Sequence, residues 1–247
     1  MDRVFHTPRV MLPIRKFFGK IKRKYWSHRF RQMNNEEIFT EIYRRRLWGR
    51  RSNHKFDSGT GSHDADLIDK YVQSVIEFIG PKIQQMSAID VGCGDFEVGK
   101  NIYFYFKEYL AVDVNSQLIK YNATEYKDPN LNFEVLDATN QLIPKFDVVF
   151  IRQVLQHLSN KSIQDLIFNL PKDFHFLIVT EHLPNSIFYP NLDIETGFQT
   201  RLIKNSGVIL HEPPFMFNNL DFKKICEVPV TDGLITTYIY INNNFKV

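Results

Sequence analysis

Asp90-Val91-Gly92-Cys93-Gly94-Asp95 follows the apolar Ser87-Ala88-Ile89 and brings two carboxylates and two glycines into six residues. At the end of a strand, Gly92 and Gly94 would let the chain turn sharply and let a ligand come close to the backbone, because neither carries a Cβ. A dinucleotide-binding turn would have a third glycine at position 97. That position is Glu97, so three acids surround the turn. They would repel a pyrophosphate and suit a ligand bearing an ammonium group and a positively charged sulfur. S-adenosylmethionine meets that description.

Two later acids extend the pattern. Asp113 lies 23 residues past Asp90 and ends the next apolar run, where nucleotide-binding α/β domains place a carboxylate to accept ribose hydroxyls. Asp137, followed by Ala138, ends the third run, within reach of an adenine's exocyclic amine. Either acid alone also reads as a loop or helix-cap residue. At successive strand ends beside a glycine turn, they outline one adenosine-shaped site.

For proton transfer the first candidate is His157, in Val154-Leu155-Gln156-His157-Leu158 after a fourth apolar run. An imidazole is largely neutral at pH 7 and can take a proton from an attacking hydroxyl; a helix-capping role is the alternative. Glu181-His182 ends a fifth run and offers a second acid-base pair, with His182 as the alternative base. Neighbouring strand residues face opposite ways, which opposes direct pairing. Arg201 is suited to anchor a phosphate or carboxylate of a substrate, or to be an ordinary ion-paired arginine. No cluster has metal-ligand spacing, so no metal is expected.

The elements that would position these groups alternate. Strands are expected over Ser87 to Val91, Tyr109 to Val114, Asn132 to Leu136, Phe146 to Ile151 and Phe174 to Thr180, with a late one over Leu234 to Asn242. Helices are expected over Asn35 to Arg46, Asp64 to Ile79, Ser116 to Tyr126 and Lys161 to Leu170, and the segment after the glycine turn can become another. This order implies an α/β fold with a mainly parallel, doubly wound sheet. Between 180 and 233, prolines at 184, 190, 213 and 214 mark a long loop region placed to cover an acceptor.

Charge divides the chain. Residues 1 to 55 carry 16 Lys and Arg against 4 Asp and Glu, leaving 15 against 24 for the rest. The expected organisation is a basic helical extension over 1–57 and a single α/β domain over 58–247. In the extension, Ile14, Phe17, Phe18, Ile21, Tyr25 and Trp26 recur at helical spacing among basic residues. Such a helix suits an anionic membrane surface, packing on the body, or a solvated arm. Nucleic acid is disfavoured as a partner, because the body is acidic. Cys93 and Cys226 form no disulfide framework, and no apolar run is long enough to span a bilayer. A cytoplasmic protein, or one peripheral to the inner face of the membrane, is expected.

The combination of Asp90-x-Gly92-x-Gly94, Asp113, Asp137 and a Phe146-Asp147-Val148-Val149 strand running into Val154-Leu155-Gln156-His157-Leu158 resembles class I S-adenosylmethionine-dependent methyltransferases over residues 58 to 180. The resemblance implies a Rossmann-like sheet of seven strands. It implies that Asp90, Gly92, Gly94 and Asp95 contact the methionine part of the cofactor, with Arg152 close to it or to the acceptor. Asp113 would hold the ribose, with Val114 beside the adenine and Asp137 and Ala138 at its edge. Ser58, Gly59, Gly61 and Ser62 would close over the cofactor carboxylate, or form a helix-entry turn. Trp48-Gly49, the Ser58 to Ser62 loop, Asp193-x-x-x-Gly197-x-x-x-Arg201 and Pro214-Phe215 are similar to a smaller group of bacterial and viral methyltransferases associated with surface-glycan biosynthesis. That likeness implies O-methylation of a sugar or of a sugar- or nucleotide-linked intermediate. Methylation of a metabolite or protein, or a non-catalytic cofactor-binding scaffold, is the alternative.

Overall fold

The computed structural model describes residues 25–49, 55–217 and 219–242. The chain divides into two compact units, Met1–Asn34 and Asn35–Val247. In the first, residues 25–30 are helical, and Trp26 and Phe30 bring their rings to 5.3 Å. The rest of the expected basic helix lies outside the described residues. The second unit starts at Asn35, whereas the sequence suggested a boundary at 57. Helix α1 (Asn35–Arg44) belongs to the larger unit because it is amphipathic, and Ile38 and Ile42 are buried.

Seven strands form one sheet: β1 (Ser87–Val91), β2 (Glu108–Asp113), β3 (Leu131–Val135), β4 (Val148–Arg152), β5 (Phe176–Leu183), β6 (Asp221–Val230) and β7 (Gly233–Ile241), in the order β3-β2-β1-β4-β5-β7-β6. The first five are parallel, and β7 is antiparallel to both β5 and β6. The order reverses between β1 and β4, and a crevice opens at the strand C-termini there. Helices α2 (Ala65–Ile79), α3 (Ser116–Glu125) and α4 (Asn160–Phe168) carry the caps their sequences offer: Asp64, Asn115 and Ser159 each accept first-turn N–H groups.

Side chains alternate along β1 and send Ile89 and Val91 into one core with Leu155, Ile163 and Leu166, and Ala88 into the other with Tyr71, Val75 and Phe150. Asp90 shares the second face, which is how a carboxylate comes to be buried beneath the sheet edge.

Two expectations are corrected. The segment after the glycine turn forms no α-helix; it makes two 3-10 turns, Gly99–Asn101 and Tyr103–Tyr105. Phe96 takes a left-handed backbone with φ of 63°, and its fully buried ring lies edge-on to Phe133 at 4.9 Å and Tyr126 at 5.1 Å. Burying that ring outweighs continuing into a helix, since the αL conformation costs roughly 1–2 kcal/mol and a buried phenylalanine contributes more. The loop region over 180–233 contains the whole of β6, a largely exposed edge strand broken by a register shift between Lys224 and Cys226. Replacing Phe96 with alanine should lower unfolding free energy by about 3–5 kcal/mol, read as an earlier urea midpoint at unchanged m-value.

Candidate active site

A cavity of about 670 Å³ opens at the switch point, within the range of small-ligand sites. The glycine turn forms its floor. The N–H groups of Gly92 and Cys93 both donate to Val112 O, at 2.8 and 3.0 Å, and Gly94 N donates to Asp113 Oδ2 at 3.2 Å. The ends of β1 and β2 are thereby tied together. Gly92 has φ of 76°, and a Cβ there would overlap the Val154 side chain, so backbone conformation and packing both demand glycine.

Asp90, Gly92, Gly94, Asp113, Val114, Asp137, Ala138 and Arg152 line this one cavity, and so do Ser58, Gly59, Gly61, His157 and His182. Asp113 is buried, and its Oδ1 accepts from Asn115 N at 2.9 Å. Burial raises its pKa to about 6, against the lowering effect of the backbone N–H groups. Burial likewise pushes Asp90 up to about 7, although a hydrogen bond from Tyr109 and the charge of Arg152 oppose the rise. Arg152 is sequestered: its guanidinium lies 5.2 Å from the Tyr71 ring centroid and donates to Gly61 O at 3.0 Å and Gln153 Oε1 at 3.1 Å. Its Nε has no partner.

Asp95 and Glu97 do not line the cavity. Asp95 Oδ2 accepts from Ser58 N at 3.0 Å and lies 2.8 Å from His63 Nε2, while Asp95 N donates to Ser58 Oγ at 2.9 Å. Asp95 therefore latches the 57–63 loop onto the turn. Glu97 faces Lys100 at 2.6 Å. The crowding of three acids around a ligand expected from the turn is thus reduced to Asp90, with Asp113 and Asp137 supplying the other carboxylates. The 58–62 loop is committed in the same way: Ser58 N serves Asp95, and Gly59 N donates to Asp57 Oδ1 at 3.0 Å.

Asp137 is heavily engaged, accepting from Asn35 Nδ2 at 3.2 Å, Thr139 Oγ1 at 2.8 Å and Asn140 Nδ2 at 2.7 Å. It pins α1 to the end of β3. Through that helix Asn35, Phe39 and Tyr43 reach the cavity wall, followed by Trp48. None of these four was singled out for binding from the sequence, and α1 shows only an amphipathic pattern there.

His157 lies on a 3-10 turn, Leu155–His157. Its Nδ1 is 3.1 Å from Gln199 O, so the proton sits on Nδ1 and the Nε2 lone pair is left over, 3.4 Å from Gln156 Nε2. The Trp48 ring lies 4.9 Å away. Burial lowers the His157 pKa to about 4. His182 also lines the cavity, with Nε2 3.4 Å from Asp232 Oδ1 in the β6–β7 turn, and burial lowers its pKa. Glu181 points the other way, away from His182, as strand alternation requires.

Arg201 departs from the sequence expectation. It is fully buried and does not line the cavity; its Nη1 donates to Leu192 O at 2.7 Å and its Nη2 to Leu158 O at 2.6 Å. A guanidinium so enclosed does not reach an acceptor. Among the described residues, no group of three or more His, Cys, Asp or Glu is placed to hold a metal, and no helix is long and apolar enough to cross a membrane.

Residues 89–170 match a family model described as a methyltransferase domain. No curated protein matches the chain. Among solved structures, the chain is similar to the N-methyltransferase NodS from Bradyrhizobium japonicum WM9 in complex with S-adenosyl-L-homocysteine, at 12% identity and a TM-score of 0.54, over 74% of this chain and 90% of that one. It is also similar to magnesium protoporphyrin IX methyltransferase (ChlM) from Synechocystis PCC 6803 with bound SAM, at 13% identity and a TM-score of 0.53, over 85% and 98%. At such identities the likeness concerns the fold, a Rossmann-like, mainly parallel seven-stranded sheet.

A carboxyl whose folded pKa lies above its unfolded value stabilises the fold fully below the unfolded pKa, and that contribution is lost as pH rises through the folded pKa. For Asp90 the loss falls between about pH 4 and 7. Ligand-free Asp90→Asn should therefore be more stable than the parent at pH 8, with the gap narrowing toward pH 5, in thermal melts across pH.

Proposed function

We propose that this chain is an S-adenosylmethionine-dependent methyltransferase. The observation that carries the reading is the meeting, in one cavity at the switch point, of a glycine turn, buried Asp90 and Asp113, and Arg152 with an unpartnered Nε. The family match over 89–170 supports it, as do two relatives of the same fold solved with this cofactor or its demethylated product.

The residues fit the cofactor. Asp90, whose charged form is disfavoured by burial despite the nearby Arg152, would take the ammonium. Arg152 Nε would meet the carboxylate, and the absence of a Cβ at Gly92 and Gly94 leaves room for the methionine chain. Asp113 keeps free lone pairs for the ribose hydroxyls, and Val114, Ala138, Phe39 and the Asn35–Asp137–Thr139 cluster would surround the adenine. When bound, S-adenosylmethionine supplies a methyl group on a sulfonium, which leaves as a neutral thioether.

The protein's own part is alignment, exclusion of water and proton transfer. His157 is neutral throughout the physiological range, so its Nε2 lone pair is available without prior deprotonation. That nitrogen would accept the proton of an acceptor hydroxyl in place of its long Gln156 contact. His182 stands as the alternative base.

For the acceptor we propose a sugar of surface-polysaccharide biosynthesis, on the likeness carried by Trp48-Gly49, the 58–62 loop and the Asp193 to Arg201 pattern. Arg152 is the only Lys or Arg lining the cavity among the described residues, against Asp64, Asp90, Asp113, Asp137 and Asp232. This favours the sugar portion over a nucleotide-linked phosphate as the group that enters. The basic N-terminal segment supports work at the inner face of a membrane, where such glycans are assembled.

Calorimetry should show binding of S-adenosylhomocysteine and none of NAD; absence of the former overturns the reading. Removing two charge-assisted hydrogen bonds in Asp113→Ala should weaken that binding about 100-fold or more. With an acceptor found by labelled methyl transfer to glycan extracts, His157→Ala should lower kcat about 10²–10⁴-fold and leave cofactor affinity near that of the parent. Unchanged turnover removes His157 as the base.

A further inference from the structure

Two buried ionisable side chains hold His157 from outside the cavity. The N–H groups of Leu155 and Gln156, which lead into the turn, each donate to one oxygen of Glu181, both at 2.9 Å. On the far side of the imidazole, Leu158 O accepts from Arg201 Nη2 at 2.6 Å. Glu181 is 2% exposed and Arg201 0%. Neither lines the cavity.

The second layer of contacts comes from the segment that Arg201 anchors. Gly197 N donates to His157 O at 2.9 Å, and Gln199 O takes the Nδ1 proton. Backbone before and after His157 is thus held by ionisable groups, and the ring by a carbonyl two residues before Arg201.

Burying a carboxyl and a guanidinium is costly, and apolar packing would hold a short turn as well. What these groups add is direction. A carboxyl held by two N–H groups and a guanidinium oriented by two carbonyls leave the turn one geometry.

We infer that Glu181 and Arg201 are positioning residues that set the orientation and tautomer of His157 in the cavity. The inference rests on the reading of His157 as the group facing the acceptor. The charged groups acting on Glu181 are Arg201 and Arg152. Those facing His157 are uncharged: the Trp48 ring, the Gln156 amide, and the backbone of Gly197 and Gln199.

The test is imidazole ¹⁵N NMR on the full chain, with and without S-adenosylhomocysteine. In the parent, His157 should show the Nδ1–H tautomer and titrate near pH 4. Glu181 should ionise near pH 8, and His157 nitrogen shifts should move with that midpoint, far above the imidazole's own titration. Glu181→Gln replaces one accepting oxygen with an NH₂ group. It should mix the tautomers of the neutral imidazole, while S-adenosylhomocysteine affinity changes by less than about threefold. Glu181→Asp, which keeps the carboxylate, should restore part of the parent spectrum. A folded Glu181→Gln protein with the parent His157 spectrum overturns the inference. If that variant does not fold, a folded Arg201→Lys protein with the parent His157 spectrum does so. Failure of S-adenosylhomocysteine to bind the parent strikes the methyltransferase reading instead, and the ligand-free spectra still decide the role of Glu181.

Discussion

The carbonyl of Val112 receives two N–H groups from the glycine turn, and the next side chain, Asp113, receives a third. These bonds lock the ends of β1 and β2 beside the β1–β4 switch point. The rest of the site is placed by reference to them. Gly92 must lack a side chain because Val154 packs against it, and Val154 leads into the turn that carries His157. The cavity floor and the imidazole are therefore coupled through a single close contact.

Around this knot the acids divide by task. Asp95 and Asp137 occupy themselves with the protein, the first latching the 57–63 loop through Ser58 and His63, the second gripping Asn35 at the start of α1. Asp90 and Asp113 carry raised pKa values because burial removes water faster than neighbouring donors replace it. A site that holds buried carboxyls at a disadvantage is prepared for a cation.

The imidazoles show the opposite shift. His157 and His182 are shifted toward the neutral form because burial disfavours their charged forms. Phe39 and Tyr43 of α1, with Trp48 beyond its end, form an aromatic wall on the cavity.

Much of this was legible in the chain. Apolar runs flanked by caps located five parallel strands, β7 and the four α-helices to within a few residues, and the spacing of Asp90, Asp113 and Asp137 put three carboxylates on one cavity, because strand ends on one edge of a parallel sheet converge whatever lies between them. Other features were hidden. β6 has Asp221, Lys223, Lys224, Glu227 and Pro229 in ten residues, an edge strand whose exposure removes the apolar signal. Phe96 gave no sign that a buried ring would displace a helix. The largest gap concerns polar side chains: Asp90 and Asp95 are equivalent in the sequence, as are Arg152 and Arg201. Residue type and spacing determined that carboxylates and guanidinium groups gather at this edge. Only the tertiary structure decided which of them face the cavity and which hold the backbone, since that depends on partners such as Ser58, His63, Leu158 and Leu192, brought close by folding and not by the order of the chain.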